Sequence, residues 1–276
     1  MSPVFETVSI VGLGLMGGSL ARDLAARGVR VRAYDVDEKQ VEDAMCAGVV
    51  SGRVRDDLED VDADLVVLAV PVDATADVLR RAAPFVGGAR LITDLGSTKA
   101  RIVAAAAALG LGSRFVGSHP MAGDHRSGWR AARVGLFAGA RVYLCPASPD
   151  HEATSLATRF WSELGAAPEP IAPDEHDRRL AWASHLPHLA AASLALAMAN
   201  AGISRSDLGP GGRDATRLAG SSAEIWAAIA LDNAAELESA LASAEQEIAS
   251  FRRALTHADA GEVRRRFAAA RNWFEV

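Results

Sequence analysis

The 276-residue sequence predicts an α/β protein, with an N-terminal domain on a mainly parallel sheet (residues 1–172) and an all-α domain after it (residues 173–276). Three observations lead there. Up to about residue 170, short continuous apolar runs alternate with Ala-rich helical stretches, the pattern of strands buried on both sheet faces. The first run ends in a glycine-rich turn that opens a helix. After "APEPIAPDEH" the strand-like runs cease and only helical patterns follow.

The strand candidates, in order, are "TVSIVGLG" (7–14), "VRVRAYDV" (29–36), "DLVVLAVP" (64–71), "ARLITDLG" (89–96), "RFVGSHP" (114–120) and "RVYLCP" (141–146). Helices are expected between them at 17–27, 37–47, 73–83 and 98–109. In "SPDHEATSLATRFWSELG", Ser148 reads as N-cap, Pro149 as the first helical residue and Gly165 as the stop. Further helices are expected at 174–201, near 213–219, at 221–257 and at 260–273. "SSAE" has capping-box form, with Ser221 at the N-cap and Glu224 three residues on. These later helices are apolar around much of their circumference and must bury against something. That predicts a homodimer through the helical domain.

Half of the residues are hydrophobic, yet no window approaches the roughly 18 uncharged apolar residues of a membrane span. The start, "MSPVFETVSI", lacks the basic-then-apolar pattern of a secretory signal. Cys46 and Cys145 offer neither a disulfide framework nor metal-ligand spacing, and each sits in an apolar segment. Buried, reduced thiols in a cytoplasmic protein are the expectation. A net charge of −6 argues against nucleic acid as partner. Among 29 basic residues only Lys39 and Lys99 are lysine. Lys39 starts a surface helix, but Lys99 stands where a compact ammonium has a use.

"VSIVGLGLMGGSLA" runs a strand into Gly12-Leu13-Gly14-Leu15-Met16-Gly17. Gly12 permits the tight turn, Gly14 lets backbone approach a pyrophosphate, and Gly17 allows close helix–strand packing. The helix start at Leu15 and Met16 offers free N–H groups to phosphate. Asp35 ends the second strand, 18 residues after Gly17, where a carboxylate takes ribose hydroxyls. With Val36 next to it and no basic residue there, NAD is favoured over NADP. This is a Rossmann-type dinucleotide-binding pattern. Val70 in "AVP" (69–71) and Asp94, Ser97 and Lys99 in "TDLGSTK" (93–99) fall beyond strand ends, where Rossmann ligands lie. Asp94 or Ser97 also reads as a plain helix cap, whereas the rarity of lysine favours a site-facing Lys99.

His119 ends the next strand and opens onto the same crevice. Its imidazole suits proton acceptance near neutral pH, Pro120 stiffens the chain, Gly117 and Gly123 clear space, and Ser97 is placed to orient the ring. In the helical domain, His185 and His188 of "SHLPH" lie three apart on a helix disturbed by Pro187. No Cys or carboxylate pattern joins them, so no metal is assigned. Arg213 and Arg217, four apart behind a glycine-rich turn, suit a carboxylate-bearing substrate, or else form a solvated basic face.

Taken together, "GLGLMGGSLA", "DLGSTK", "GSHPMAG", "SHLPH" and "RDATRLAGSSAEIW" resemble, in the same order, the prephenate/arogenate dehydrogenase family, from about residue 7 to 235. The resemblance implies a Rossmann domain followed by a helical dimerisation domain, an NAD cofactor and a small-molecule substrate. It implies His119 as the catalytic histidine, Ser97 as its helper, Arg217 as holder of a substrate carboxylate, and His188 and His185 as pocket-lining residues. The implied reaction is oxidative decarboxylation of prephenate in tyrosine biosynthesis; arogenate or an amino-substituted prephenate is the alternative. Where many members read roughly "GSHPMAGSEKSG", this chain has "GSHPMAGDHRSGW", with Asp124, His125 and Arg126 in a segment that approaches the substrate side chain. Asp124 would favour an ammonium there. The chain length leaves no room for a C-terminal regulatory domain or a fused mutase. A β-hydroxyacid dehydrogenase, which needs a lysine in its helical part, finds none after Lys99. A non-catalytic NAD sensor would have no use for His119, Ser97 and Arg217.

Overall fold

A computed structural model describes residues 3–123, 126, 128–148 and 151–275. The chain forms two compact units: Met1–Leu180 with Gly220–Asn233, and Ala181–Ala219 with Ala234–Val276.

The first unit opens with β1 (Thr7–Val11), α1 (Leu15–Ala25), β2 (Arg30–Tyr34), α2 (Glu38–Cys46), β3 (Gly52–Arg53), β4 (Leu65–Leu68), α3 (Val72–Ala82), β5 (Leu91–Asp94) and α4 (Ala100–Ala108). The five strands form a wholly parallel sheet in the order β3-β2-β1-β4-β5. Alternation along β4 divides its residues between two cores: Leu65 and Val67 join Leu20, Leu24 and Trp161, while Val66 and Leu68 join Leu79, Ile102 and Phe115. Burial on both faces explains why the sequence shows continuous apolar runs rather than polar–apolar alternation. The strand order reverses between β1 and β4, which places a ligand crevice at their carboxyl ends.

β6 (Val116–Pro120), β7 (Arg141–Pro146), α5 (His151–Glu163), β8 (Ala167–Pro170) and α6 (Pro173–Leu180) follow. β6 runs antiparallel to β7, β7 runs parallel to β8, and a parallel bridge from Ile92 to Phe115 links this ribbon to the edge of β5. β3 and β8 are absent from the strand candidates above. β3 has two residues, and β8 carries Pro168 and Pro170 on an edge, where a missing N–H is tolerated. Pro149 lies outside the described residues, while Gly165 adopts φ +79° just past α5, as a helix stop does. Cys145 is buried, but Cys46 is exposed at the end of α2, contrary to expectation; both are free thiols.

The long helix expected at 174–201 is interrupted at Ala181–His185 by a π-type turn, followed by α7 (Leu186–Asn200). Pro187, near the start of α7, has no N–H to continue the ladder. The helix expected at 221–257 is two: α9 (Ala223–Asp232) in the first unit and α10 (Ala234–Thr256) in the second. The N-cap of α9 is Ser222 rather than Ser221, its hydroxyl accepting the Ile225 N–H at 3.4 Å. α8 (Pro210–Ala215) and α11 (Ala260–Glu275) complete the second unit. There α10 and α11 meet through Phe251 and Phe267, rings 5.4 Å apart, with Arg266 over Phe251. α11 buries no residue, and Trp273 and Phe274 are more than four-fifths exposed. Among the described residues, no helix is long and apolar enough to cross a membrane.

Candidate active site

The glycine turn is built by three different constraints. Gly12 sits at φ +99°, and a Cβ there would meet the Ala69 carbonyl at 2.4 Å. Gly17 is pressed on the turn itself, its Cβ position 2.0 Å from the Gly12 carbonyl oxygen. Gly14, the N-cap of α1, has nothing within 4 Å of its Cβ position, so the fold leaves that space open. Leu15 and Met16 begin α1 half-buried, and Val70 lies against Gly12. Asp35, just past β2, is held by its surroundings: Oδ2 accepts the Leu13 N–H at 2.6 Å, and Oδ1 accepts from the Asp37 N–H at 2.9 Å and Gln40 Nε2 at 3.2 Å. Val36 beside it is exposed. An open cradle at a helix N-terminus with a fixed carboxylate one strand away fits a dinucleotide's pyrophosphate and ribose.

Asp94 and Lys99 depart from their expected cofactor-facing role. Both are fully buried and pair with each other, and Asp94 also accepts the Gly96 N–H at 2.8 Å. Burial pushes the Asp94 carboxyl up, and the Lys99 ammonium pulls it back down. The rarity of lysine matches this buried pair, in which the Lys99 ammonium reaches the Asp94 carboxylate. Neither Asp94 nor Ser97 caps α4. That task falls to Asp177 on α6, whose two oxygens accept the Lys99 and Ala100 N–H groups at 2.8 Å each. Ser97 is half-buried, and among the described residues no hydrogen bond joins its hydroxyl to His119.

A hydrogen-bond partner of His119 is His176. His119, buried at the end of β6, has Nδ1 2.9 Å from Nε2 of His176, whose own Nδ1 lies 2.7 Å from Asp177 Oδ1. Burial pushes the His176 imidazole below its ordinary value against the pull of the Asp177 hydrogen bond, so it is neutral at neutral pH. Burial alone would raise the Asp177 carboxyl, but bonds from His176, Ala100 and Lys99 hold it below the carboxylate range. A carboxylate can only accept, so neutral His176 donates from Nδ1 and accepts at Nε2. His119 therefore donates from Nδ1, and its Nε2 carries the lone pair, the form a proton acceptor requires. Tyr143, paired with His119 across β6 and β7, packs edge-on against His176 with ring centres 5.4 Å apart.

Sequence reading missed His176 and Asp177. In "PDEHDRRL" they stand among charged residues at a helix start, and nothing in the periodicity marks them as the buried pair of α6.

The second unit brings His188 and Arg217 together. His188 is half-buried, with Nδ1 3.0 Å from the Ser184 carbonyl; burial first, then the Arg217 charge, lowers its pKa. His185 is buried in the π-type turn, whereas Arg213 and Arg217 are exposed. Asp124 and His125 lie outside the described residues, and Arg126 is exposed. Among the described residues, no group of three His, Cys, Asp or Glu side chains could hold a metal ion.

A switch-point nucleotide cradle with a tautomer-fixed histidine at a neighbouring strand end defines the class, a nucleotide-dependent oxidoreductase. Comparison makes it specific. Residues 20–169 match the prephenate dehydrogenase nucleotide-binding domain, and residues 172–269 match the prephenate dehydrogenase dimerization domain. The chain belongs to the prephenate dehydrogenase family. It is 33% identical to the prephenate dehydrogenase of Bacillus subtilis over 285 residues, spanning 99% of this chain and 76% of that protein. A crystal structure of prephenate dehydrogenase from Aquifex aeolicus with hydroxyphenyl propionate and NAD+ superposes with a TM-score of 0.88 at 28% identity, covering 98% of both chains. The Synechocystis arogenate dehydrogenase structure superposes at 0.82 with 27% identity, covering 98% of this chain and 99% of that one.

Proposed function

We propose that the chain oxidatively decarboxylates prephenate to 4-hydroxyphenylpyruvate with NAD, the step that commits the ring to tyrosine. The observation that carries this reading is the His119–His176–Asp177 chain, which leaves one basic nitrogen at a strand end of the nucleotide-binding unit. Gly12, Gly14, Gly17, Leu15 and Met16 cradle the pyrophosphate, Val70 lines the crevice, and Asp35 takes the adenosine ribose. NAD, when bound, supplies a hydride acceptor. His119 Nε2 accepts the proton of the ring hydroxyl as the carbonyl forms, and loss of the ring carboxylate as CO2 completes aromatisation. His119 thus has to position and deprotonate rather than activate strongly. Ser97 offers its hydroxyl to substrate or cofactor, Arg217 holds a substrate carboxylate in bidentate fashion, His188 and His185 line the pocket, and Arg213 is a further candidate for the substrate.

The functional boundary is placed at residues 172 and 173, with the cofactor before it and substrate and dimer contacts after it. The uncovered aromatic residues of α11 favour a homodimer through the helical domain. Two free cysteines suit a reducing cytoplasm.

Arogenate is the second reading, favoured by the likeness to the Synechocystis enzyme. NADH formation with prephenate and arogenate side by side, with NAD and NADP in turn, decides between them. Turnover of neither acid would overturn the proposal.

A further inference from the structure

Gln40 on α2 has each end of its side-chain amide in use. Nε2 donates to Asp35 Oδ1 at 3.2 Å, and Oε1 accepts the Trp129 N–H at 2.8 Å. The amide suits this place and a carboxylate does not, because one end must donate to Asp35 and the other must accept from backbone. Trp129 is itself buried, with its ring on Gly18, where a Cβ would come within 2.9 Å, and the Arg22 guanidinium 4.0 Å from the ring centre. Gly128 before it takes φ +77°, which favours glycine. Beyond Trp129, the Arg133 N–H donates to Ser19 Oγ at 3.1 Å and the Gly135 N–H to Asp23 Oδ1 at 2.8 Å. The stretch from Gly128 to Gly135 is thus stapled to α1, the helix whose N-terminus forms the cradle.

The geometry points to Gln40 as a positioning residue that ties Asp35 to the Gly128–Trp129 turn, so that cofactor occupancy stiffens that turn. The inference rests on Asp35 taking the ribose of NAD, the reading given above. A ribose hydroxyl bonded to Asp35 limits the carboxylate's motion, the carboxylate limits Gln40, and Gln40 holds the Trp129 amide. Coupling of this kind is reciprocal, so an ordered Trp129 turn also favours NAD.

Hydrogen–deuterium exchange on the full-length protein, with and without NAD, tests this apart from catalysis. In the wild type, NAD should slow exchange at residues 12–17 and also at Trp129, the latter by roughly 5-fold or more, the low end of site-to-site coupling. Gln40→Met keeps the volume and removes both bonds. It should retain slowing at residues 12–17 and lose it at Trp129. Gln40→Glu, should the first variant fold poorly, keeps the acceptor for Trp129 but sets a carboxylate against Asp35. It should lose the effect at neutral pH and regain it in acid, where the protonated acid can again donate. NAD-induced slowing at Trp129 that survives both substitutions, or is missing from the wild type while residues 12–17 are protected, overturns the coupling. Absence of protection at residues 12–17 in the wild type overturns the cofactor reading instead, and the coupling with it.

Discussion

His119 and His176 meet edge to edge, ring centres 5.1 Å apart and planes inclined at 66°, with one nitrogen of each in hydrogen-bond contact. Since Asp177 fixes the proton of the second ring, it also decides which nitrogen of the first is basic. His176→Asn should lower kcat by roughly 10²-fold, the size expected when a reacting group is misplaced. His119→Asn should lower it by roughly 10²–10⁴ with KM little changed, the size of a lost general base. Steady-state kinetics on both variants and the double variant separate the roles. If His176 acts only through His119, the double variant is no slower than His119→Asn; a further drop assigns His176 a separate task.

Stability in acid should depend on Asp177. Its folded pKa lies below the unfolded value of about 3.9, so its contribution is fully present above that value. It is lost as pH falls through the lower folded value. Asp177→Asn removes this dependence and weakens the cap of α4, at a cost of roughly 1 kcal/mol or more at pH 7. Urea unfolding at pH 7 and below pH 3 measures it. The difference between wild type and variant should shrink in acid, and a constant difference speaks against the assignment.

The glycines of the turn should separate stability from binding. Gly14→Ala meets no neighbour in the fold and should shift stability by no more than about 1 kcal/mol while weakening NAD strongly. Gly17→Ala drives a methyl into the Gly12 carbonyl and should destabilise the protein outright. Thermal melts with and without NAD show both. Unchanged NAD affinity in Gly14→Ala would move the pyrophosphate elsewhere.

Lys99→Met should leave KM for NAD near the wild-type value and cost roughly 3–5 kcal/mol in stability, because it strands a buried carboxylate. Adding Asp94→Asn should recover part of the loss. A large rise in KM for NAD without loss of stability would return Lys99 to the cofactor.

Arg217→Ala should raise KM for the acid substrate by the equivalent of about 1.5–3 kcal/mol, as for a lost charged hydrogen bond. It should also raise the pKa of His188, since the arginine charge lowers it. Proton NMR of the His188 ring reads the second effect without substrate. An unmoved KM shifts the carboxylate role to Arg213.

The sequence showed what periodicity and turn chemistry encode. The parallel strands, the glycine turn, Asp35 and His119 at a strand end were all legible. What escaped has no periodic signature. His176 and Asp177 are adjacent polar residues whose importance comes from burial beneath β6, and Asp177 caps a helix 77 residues earlier in the chain. The rarity of lysine singled out Lys99, and the structure adds a second reason for it, since an internal ion pair selects that side chain as strictly as a ligand does. The N-cap of α9 slipped by one residue because two adjacent serines satisfy the same pattern.

The segment Gly220–Asn233 returns to the first unit after the chain has left it, and leaves again for α10. Its Asp232 bonds Thr98 at 2.6 Å and Arg101 at 3.0 Å, and Asn233 bonds the Asp177 carbonyl at 2.8 Å. The nucleotide-binding unit is therefore not a contiguous stretch of gene. A fragment cut after Leu180 would lack the residues that brace α4 and the Asp177 backbone, and nearby domain fusions or swaps would inherit the same defect. Recombination at the apparent border between the two family domains would have to carry a piece of the second one along.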